Sequence, residues 1–315
     1  MMLGKTAGGL FWMFRNLERA ENTARLIEAG FRIALTRSND AALEWQSVIL
    51  TVAATVAFEA KHDTYEAENV IDFLLRDRDN PNSVLSVINY ARDNAKTVRT
   101  ALTSEVWVAV NETWMILNDR LKHPIKIKDL PGVLSLIRHQ SALVRGALHG
   151  TMLRNEIYDF CRLGTYIERF DNTARIIDVK YYTLLPDVSD VGGQLDNVQW
   201  ETILRSVSAH RSYRWAVEDD FTGPAITDFL ILDQRMPRSL VHCLGHIVKS
   251  VTYLAEGHGQ DCHSRDLALK LDAALDKRDI ESIFAEGLHE FLEAMLADMA
   301  ALSVQIERDF RFNPA

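Results

Sequence analysis

Residues 17–25 read Leu-Glu-Arg-Ala-Glu-Asn-Thr-Ala-Arg, and residues 167–175 read Ile-Glu-Arg-Phe-Asp-Asn-Thr-Ala-Arg. The second stretch lies 150 residues after the first and keeps the Glu-Arg pair, the Asn-Thr-Ala-Arg tail and an acidic residue at the fifth position. A sequence repeat of this length and similarity rarely arises by chance. The chain therefore contains a repeated element around which we expect the fold to be organised.

Two further pairs of segments match in the same order and at nearly the same spacing. They are residues 44–49 with 199–204, and residues 73–83 with 229–239. Three collinear matches predict a tandem duplication, with repeats of roughly 150 residues covering about 1–150 and 151–315. No flexible linker separates the repeats, so we expect a pseudo-two-fold arrangement within one domain, residues 1–315. Two separate bundles in tandem are the alternative.

The spacing of apolar residues indicates helices throughout the chain. Apolar side chains recur every three or four residues, and only 7 Pro and 15 Gly residues interrupt the pattern. The expected fold is an all-α, internally duplicated helical bundle. Helices are predicted over residues 6–36 (with Thr6 as the cap), 41–61, 65–76, two between 83 and 121, 129–148, 156–185, 198–206, 209–219, 225–232, 238–257, 264–275 and 280–308. Residues 187–197 are predicted to form a loop.

The composition restricts the class of protein. A formal net charge of −9 disfavours a general surface for nucleic acid or an anionic membrane, because both require a basic field. Cys161, Cys243 and Cys262 are too irregularly spaced for a disulfide framework, and we interpret them as reduced thiols. The sequence shows neither a secretory signal nor an uncharged run long enough to span a membrane. We therefore expect a cytoplasmic protein.

The repeated element places polar residues in a stripe along one face of each predicted helix, at positions i, i+4 and i+7. Together with the arginines beside them, these residues are Arg15, Glu18, Arg19, Asn22 and Arg25 in the first copy and Glu168, Arg169, Asn172 and Arg175 in the second. Apolar residues fill much of the remaining circumference of both helices. The charges are therefore expected in the interior or in a cleft, where a carboxylate needs a guanidinium partner.

A structural interpretation of the stripe is a clamp between the two repeats. If the two helices pack near a symmetry axis, Glu18 can pair with Arg169, and Glu168 can pair with Arg19. A buried ion pair is often no more stabilising than apolar packing. Specificity or ligand binding is therefore a further reason for such a network to exist.

A functional interpretation of the same stripe is a binding site for an anionic group such as a phosphate or a carboxylate. Arg15, Asn22 and Asn172 would contribute to substrate binding, and Glu18 or Glu168 would be the catalytic acid, base or amine acceptor. The arginines expected to hold the anion are Arg19, Arg25, Arg169 and Arg175.

Other constellations invite a metal-site interpretation. Glu59-x-x-His62 and Glu286-x-x-His289 resemble half-sites of carboxylate-bridged di-iron bundles. Such spacings are common in ordinary helices, so we predict no metal and keep a carboxylate/histidine metalloprotein as an alternative. Zinc-type ligands at an unfamiliar spacing are His242, Cys243, His246, His258, Cys262 and His263.

Several common catalytic signatures do not occur in the sequence. The Gly-Gly pairs lack the strand-to-helix setting and the Lys-Ser/Thr of a phosphate-binding loop, and no G-x-S-x-G elbow occurs. Cys161 has no activating partner that can be read from the sequence. We therefore predict no bound cofactor and no nucleophilic hydrolysis.

With these motifs in this order, the chain resembles the bacterial alpha-E family, which is named for a helical domain with a Glu-Arg motif. The resemblance rests on the two Glu-Arg helices and on residues 103–107, 200–209 and 229–239, and it covers nearly the whole chain. It departs from the usual pattern at Thr165, where the first copy has Arg15. The two sites therefore need not be equivalent.

The family resemblance also implies partners. Members are similar to proteins encoded beside, or fused to, circularly permuted ATP-grasp ligases, and transglutaminase-like and proteasome-related peptidases accompany them. The implied role is the helical component of an ATP-grasp-linked peptide ligation or modification system, acting as a partner or as a second catalytic unit. A non-catalytic scaffold with a structural Glu-Arg network is the first alternative.

Overall fold

The computed structural model describes residues 2–36, 41–183, 194–217, 221–258 and 262–312. Within these ranges the chain forms α-helices and no strands, which confirms the predicted all-α class. The helices of the first half are α1 Gly4–Thr36, α2 Ala41–Thr51, α3 Thr55–Glu59, α4 Ala67–Leu75, α5 Val84–Thr97, α6 Ser104–Arg120 and α7 Leu130–Thr151. Those of the second half are α8 Glu156–Thr183, α9 Gln194–Ser206, α10 His210–Ala216, α11 Gly223–Ile231, α12 Leu240–His258, α13 His263–Leu275, α14 Ile280–Glu286 and α15 Leu288–Asp309.

Helices α1 and α8, which carry the two Glu-Arg motifs, pack against each other at the centre of the molecule. Helix α1 also packs on α5 and α7, and α8 also packs on α12 and α15. Phe14 of α1 and Phe170 of α8 are both buried in the core. Gly164 allows the close approach of the two helices, because a Cβ there would lie 2.1 Å from the carbonyl oxygen of Phe11. The motif faces are therefore enclosed by neighbouring helices.

The single helix predicted over residues 41–61 is wrong, because the chain breaks between α2 and α3. Ala53 adopts a φ of 53°, in the left-handed region. Its N–H donates to the carbonyl of Leu50 at 2.8 Å, and the N–H of Ala54 donates to that of Ile49 at 3.2 Å. These are the two hydrogen bonds of a Schellman cap, which ends α2 although no glycine marks the position.

A glycine explains one further correction, and the start of α1 is another. The single helix predicted over residues 280–308 is divided at Gly287, whose φ of 108° suits a residue without a side chain. A Cβ at Gly287 would meet the Glu290 carboxylate at 2.1 Å. Helix α1 begins at Gly4 and not at the predicted cap Thr6.

The loop predicted over residues 187–197 is also wrong in part, because α9 already begins at Gln194. Residues 187–193 lie outside the described ranges. None of the described helices combines the length and apolar content needed to cross a membrane. The three cysteines are buried and unpaired, as expected of thiols.

Candidate functional site

Glu168 on α8 is a buried carboxylate that two arginines of α1 hold. Arg19 Nε donates to Oε1 at 2.6 Å, Arg19 Nη2 donates to Oε2 at 2.8 Å, and Arg15 Nε donates to Oε2 at 3.0 Å. Arg15 and Arg19 reach the same partner because residues four apart share one helix face. Burial alone would raise the pKa of Glu168, but the charges of Arg19 and Arg15 outweigh it and lower the pKa. The carboxylate is therefore ionised at neutral pH.

Glu18 on α1 is the corresponding carboxylate of the other motif. Arg169 Nε and Nη2 donate to its two oxygens at 3.0 and 2.9 Å, and Arg238 Nη2 lies 2.9 Å from Oε1. Burial opposes ionisation, but the charges of Arg169 and Arg238 hold the pKa of Glu18 far below its usual range. The predicted cross-pairs of Glu18 with Arg169 and of Glu168 with Arg19 are both present.

Glu21, one turn further along α1, extends the Glu18 network. It is fully buried and accepts hydrogen bonds from Arg25 Nη2 at 2.6 Å and from Arg238 Nη2 at 3.0 Å. Arg145 of α7 also donates to Glu21 and lies 3.6 Å from Glu18. Burial and the charge of Glu18 oppose ionisation, but the surrounding arginines still lower the pKa of Glu21. Guanidinium groups therefore outnumber carboxylates in this network.

Three members of this network, Glu21, Arg145 and Arg238, are not among the residues predicted from the sequence; Glu21 is the acidic residue at the fifth position of the first motif. Arg145 lies outside the repeated motifs, and only the packing of α7 on α1 brings it to the site. A signal did exist for Arg238, because it occupies the position in residues 229–239 that Asn82 occupies in residues 73–83. A long cation replaces a short amide there, and this difference separates the two motif sites.

A cavity of about 310 Å³ opens beside Glu168, between α1, α2 and α8; we call it the motif cavity. Asn82 lines it and accepts a hydrogen bond from Arg19 Nη1 at 2.8 Å. Asp171, which pairs with Arg175 at 2.8 Å, also lines it. Six of the nine predicted site residues lie in its wall, namely Arg15, Arg19, Asn22, Glu168, Asn172 and Arg175.

Two amide groups in the wall of the motif cavity have hydrogen-bonding capacity to spare. Asn22 is 3% exposed, and its Oδ1 accepts from Arg238 Nη1 at 2.9 Å, which fixes the orientation of the amide. The buried Nδ2 atoms of Asn22 and Asn172 have no partner among the described residues. A buried donor without an acceptor costs about 1 to 3 kcal/mol. Both therefore favour a ligand that presents oxygen acceptors.

The remaining three predicted site residues do not line the motif cavity. Glu18 and Arg169 are engaged with each other, and Arg25 is bound to Glu21 and also donates to Ser208 Oγ. The two motif carboxylates therefore lie in two different sites, each built from residues of both motifs, and the Glu168 site borders the motif cavity.

The candidate metal ligands are occupied in other ways. Glu59 accepts a hydrogen bond from Tyr65 at 2.8 Å, and Glu286 pairs with Arg278 at 2.7 Å. The ring of His246 stacks on an aromatic ring of α8 with centroids 4.4 Å apart. Across the described residues, no three His, Cys, Asp or Glu side chains are grouped so that they could hold a metal ion. The metalloprotein alternative thus has no site in this part of the chain.

Comparison with known proteins finds relatives over nearly the whole chain. Uncharacterized protein Mb2597 of Mycobacterium bovis and uncharacterized protein Rv2567 of Mycobacterium tuberculosis are each 22% identical over 313 residues, covering 93% of this chain. The chain spans about a third of those relatives, since the match covers 35% of each. No solved structure matches it. The family model for Alpha-E, "a predicted alpha-helical domain with a conserved ER motif", matches residues 2–310, and the chain therefore belongs to the Alpha-E family.

Proposed function

We propose that the motif cavity binds an amino acid or a short peptide through its carboxylate, and that the chain is the helical partner in an ATP-grasp-linked peptide ligation or modification system. The observation that carries the proposal is a pair of amide donors, on Asn22 and Asn172, that have no partner among the residues the structure describes, in a cavity that arginines also line. Arginine and amide N–H groups together match the acceptor oxygens of a carboxylate.

The charge of the motif cavity favours a ligand that carries both signs. Among the described residues of its wall, Arg15, Arg19 and Arg175 contribute three positive charges, and Glu168 and Asp171 contribute two negative ones. An excess of one positive charge suits one carboxylate, and the acidic side chains would repel a polyanion. The volume of about 310 Å³ is at the lower end for small-molecule sites, which fits an amino acid or a short peptide.

We assign Glu168 a positioning role. A general base works best when its pKa lies near the operating pH, and the pKa of Glu168 is lowered away from that range. Both carboxylate oxygens already accept hydrogen bonds from Arg15 and Arg19. The carboxylate holds these two guanidinium groups in the wall of the cavity, where their remaining N–H groups are available to a ligand. The chain then binds a substrate and leaves the ligation chemistry to its partner.

The partnership rests on the family resemblance, in which alpha-E domains stand beside or within proteins that contain circularly permuted ATP-grasp ligases. The relatives are long enough to hold further domains, since the match covers 35% of their length. Transglutaminase-like or proteasome-related peptidases are the other partners that the resemblance suggests. A cytoplasmic location would suit an ATP-dependent partner.

We also infer that the fold is an internal duplication. Ser208 lies 155 residues after Ala53, and both have a left-handed φ, of 57° and 53°. The N–H of Ser208 donates to the carbonyl of Arg205 at 3.0 Å, and that of Ala209 donates to Leu204 at 2.7 Å, so α9 ends in the same Schellman cap as α2. A shared, unusual backbone conformation at matched positions supports a common ancestor for the two halves.

Peptide binding can be tested by isothermal titration calorimetry with trialanine and with trialanine amide. We expect trialanine to bind and the amide, which lacks the carboxylate, to bind at least tenfold more weakly. Arg175→Gln should weaken trialanine binding by a similar factor. Arg235→Gln is the matched control, because Arg235 also pairs with an aspartate but is 73% exposed and does not line the motif cavity. Equal affinities for the two peptides would contradict carboxylate recognition.

The scaffold alternative is favoured by the buried Glu18 network, which joins α1 to α7 and α8. An experiment distinguishes the scaffold from the binding proposal. The chain is mixed with a circularly permuted ATP-grasp ligase from the same genome, and co-elution of the two proteins is followed by size-exclusion chromatography. Co-elution without peptide binding would support a scaffold. Peptide binding without co-elution would remove the partnership and leave the binding site.

A further inference from the structure

A second cavity, of about 130 Å³, lies between α7 and α8, and we call it the α7–α8 cavity. It is distinct from the motif cavity, and the two have no lining residue in common. None of the described residues that line it is acidic. Its polar wall consists of Arg145, His149, Arg162, Thr165, Tyr166 and Arg169.

Arg162 is the member of this wall whose charge is not neutralised by an ion pair within the described residues. Its Nε is buried and has no hydrogen-bond partner in the described parts of the chain, and its Nη2 contacts Nδ1 of His246. Asp159 lies nearby on α8, but its carboxylate accepts from Ser250 Oγ at 2.7 Å and forms no ion pair with Arg162. The side chain therefore has a charge and at least one N–H to offer to a ligand.

The neighbouring ion pairs leave this region with excess positive charge. Their carboxylates are those of Glu18 and Glu21, and the guanidinium groups that contact them are Arg25, Arg145, Arg169 and Arg238. Arg162 adds one more positive charge, which no carboxylate of the described residues pairs with. An anion in the α7–α8 cavity would lie between Arg145, Arg162 and Arg169 and would offset part of this excess.

The two histidines beside the cavity respond to the same positive field. Burial, together with the charge of Arg162, lowers the pKa of His246 to about 4. Burial and the charges of Arg154 and Arg162 lower the pKa of His149. Both rings are therefore neutral at pH 7, and a bound anion would raise both pKa values.

The size of the cavity selects the ligand. Thr165 lies at the position of the second copy that matches Arg15 in the first copy. Its short side chain leaves room between α7 and α8. A volume of 130 Å³ corresponds to about four water molecules. One tetrahedral oxyanion fits such a space, and a tripeptide is too large for it.

We propose that the α7–α8 cavity binds a single phosphate group, held by Arg145, Arg162 and Arg169. Arg145 and Arg169 already pair with acids behind the wall, but Arg162 does not pair with one among the described residues, and none of the described residues of the wall is acidic. The three guanidinium groups together match the charge and the acceptor oxygens of phosphate. The phosphate can come from the free ion or from a small phosphate ester, because both present the same oxygens.

The test is a calorimetric titration of the full chain with inorganic phosphate in a phosphate-free, low-salt buffer. We expect one binding event per chain, weakened at least tenfold in Arg162→Gln, which removes the charge. Thr165→Leu should weaken it similarly by filling the space while keeping the arginines. Arg235→Gln is the control and should bind like the unmodified protein. Absent binding, or unchanged affinity in Arg162→Gln and Thr165→Leu, would overturn the proposal.

A second readout guards against variants that fail to fold. In histidine NMR spectra of the unmodified protein, phosphate should raise the pKa of His246, and unchanged titration would overturn the site. If glycerol 3-phosphate competes with inorganic phosphate, the natural ligand is a phosphate ester; if it does not compete, the natural ligand is the free ion. Both outcomes support the site. Arg175→Gln should leave phosphate binding intact, so failure of the peptide proposal and failure of this one are distinguishable.

Discussion

Glu18 on α1 and Arg169 on α8 form a two-pronged ion pair across the central helix interface, with N–O distances of 3.0 and 2.9 Å. Both side chains are almost completely buried. The pair joins the first motif to the second, and Arg238 adds a further contact to the same carboxylate. This arrangement makes one carboxylate the counter-ion of more than one buried guanidinium group.

Replacing Glu18 with glutamine should therefore destabilise the fold strongly. Removing one partner of a buried ion pair typically costs about 3 to 5 kcal/mol, because the other charge is left without compensation. Glu168→Gln is the comparison, with an expected loss of roughly 1 to 2 kcal/mol. The difference arises because Arg15 and Arg19 are 15% and 26% exposed, against 10% and 7% for Arg169 and Arg238. Urea unfolding measures the stability of both variants. Equal losses of stability would contradict the expected difference between Glu18 and Glu168.

Stability should fall on acidification, and Glu18 should contribute to the fall. The pKa values of Glu18, Glu21 and Glu168 are lowered in the folded protein, so the unfolded chain binds protons first. The contribution of these carboxylates to the free energy of unfolding is complete above their pKa in the unfolded chain, which is about 4.3. It is lost as the pH falls from there through their pKa values in the folded protein. Urea unfolding between pH 7 and pH 3 should show a flatter dependence in Glu18→Gln. An identical slope would show that Glu18 is not ionised in the fold.

Ala53→Gly should stabilise the protein by roughly 0.5 to 1 kcal/mol. The left-handed conformation is unfavourable for alanine and costs glycine little, and this gain exceeds the backbone entropy that glycine loses on folding. Ser208→Gly relieves the same conformation but removes the hydroxyl that accepts from Arg25, so little net change is expected. Thermal unfolding of both variants provides the comparison. A loss of stability in Ala53→Gly would mean that its backbone is not held in this conformation.

Gly164→Ala should destabilise the protein by about 1 to 3 kcal/mol, because the added methyl group would overpack the interface of α1 and α8. The nearest atom is a backbone carbonyl oxygen of α1, which a rotamer change cannot move. Gly146→Ala is the matched control on α7, where no atom of the described residues lies within 4 Å of the added Cβ. That change should stabilise the helix by roughly 0.5 to 1 kcal/mol. Opposite signs in chemical denaturation are the expected result.

The sequence predicted the ion pairs of the centre better than the ends of the helices. The repeated motif implied that Glu18 would meet Arg169 and that Glu168 would meet Arg19, because like helices packed together exchange equivalent contacts. The break at Ala53 had no local signal, since alanine favours helix and the cap consists of backbone hydrogen bonds. Gly287 did carry a signal for the break between α14 and α15.

The sequence by itself determined the all-α class, the two motif helices and the residues that would be charged at their interface, because these depend on local periodicity and on a repeat visible in the chain. Only the tertiary structure decided that Glu18 and Glu168 lie in different sites, each of which contains residues of both motifs. Arg238 comes from more than 200 residues away to fill the Glu18 site, whereas Asn82 leaves space beside Glu168. Cavities depend on the volume of side chains brought together by packing, and no pattern along the chain encodes that volume directly.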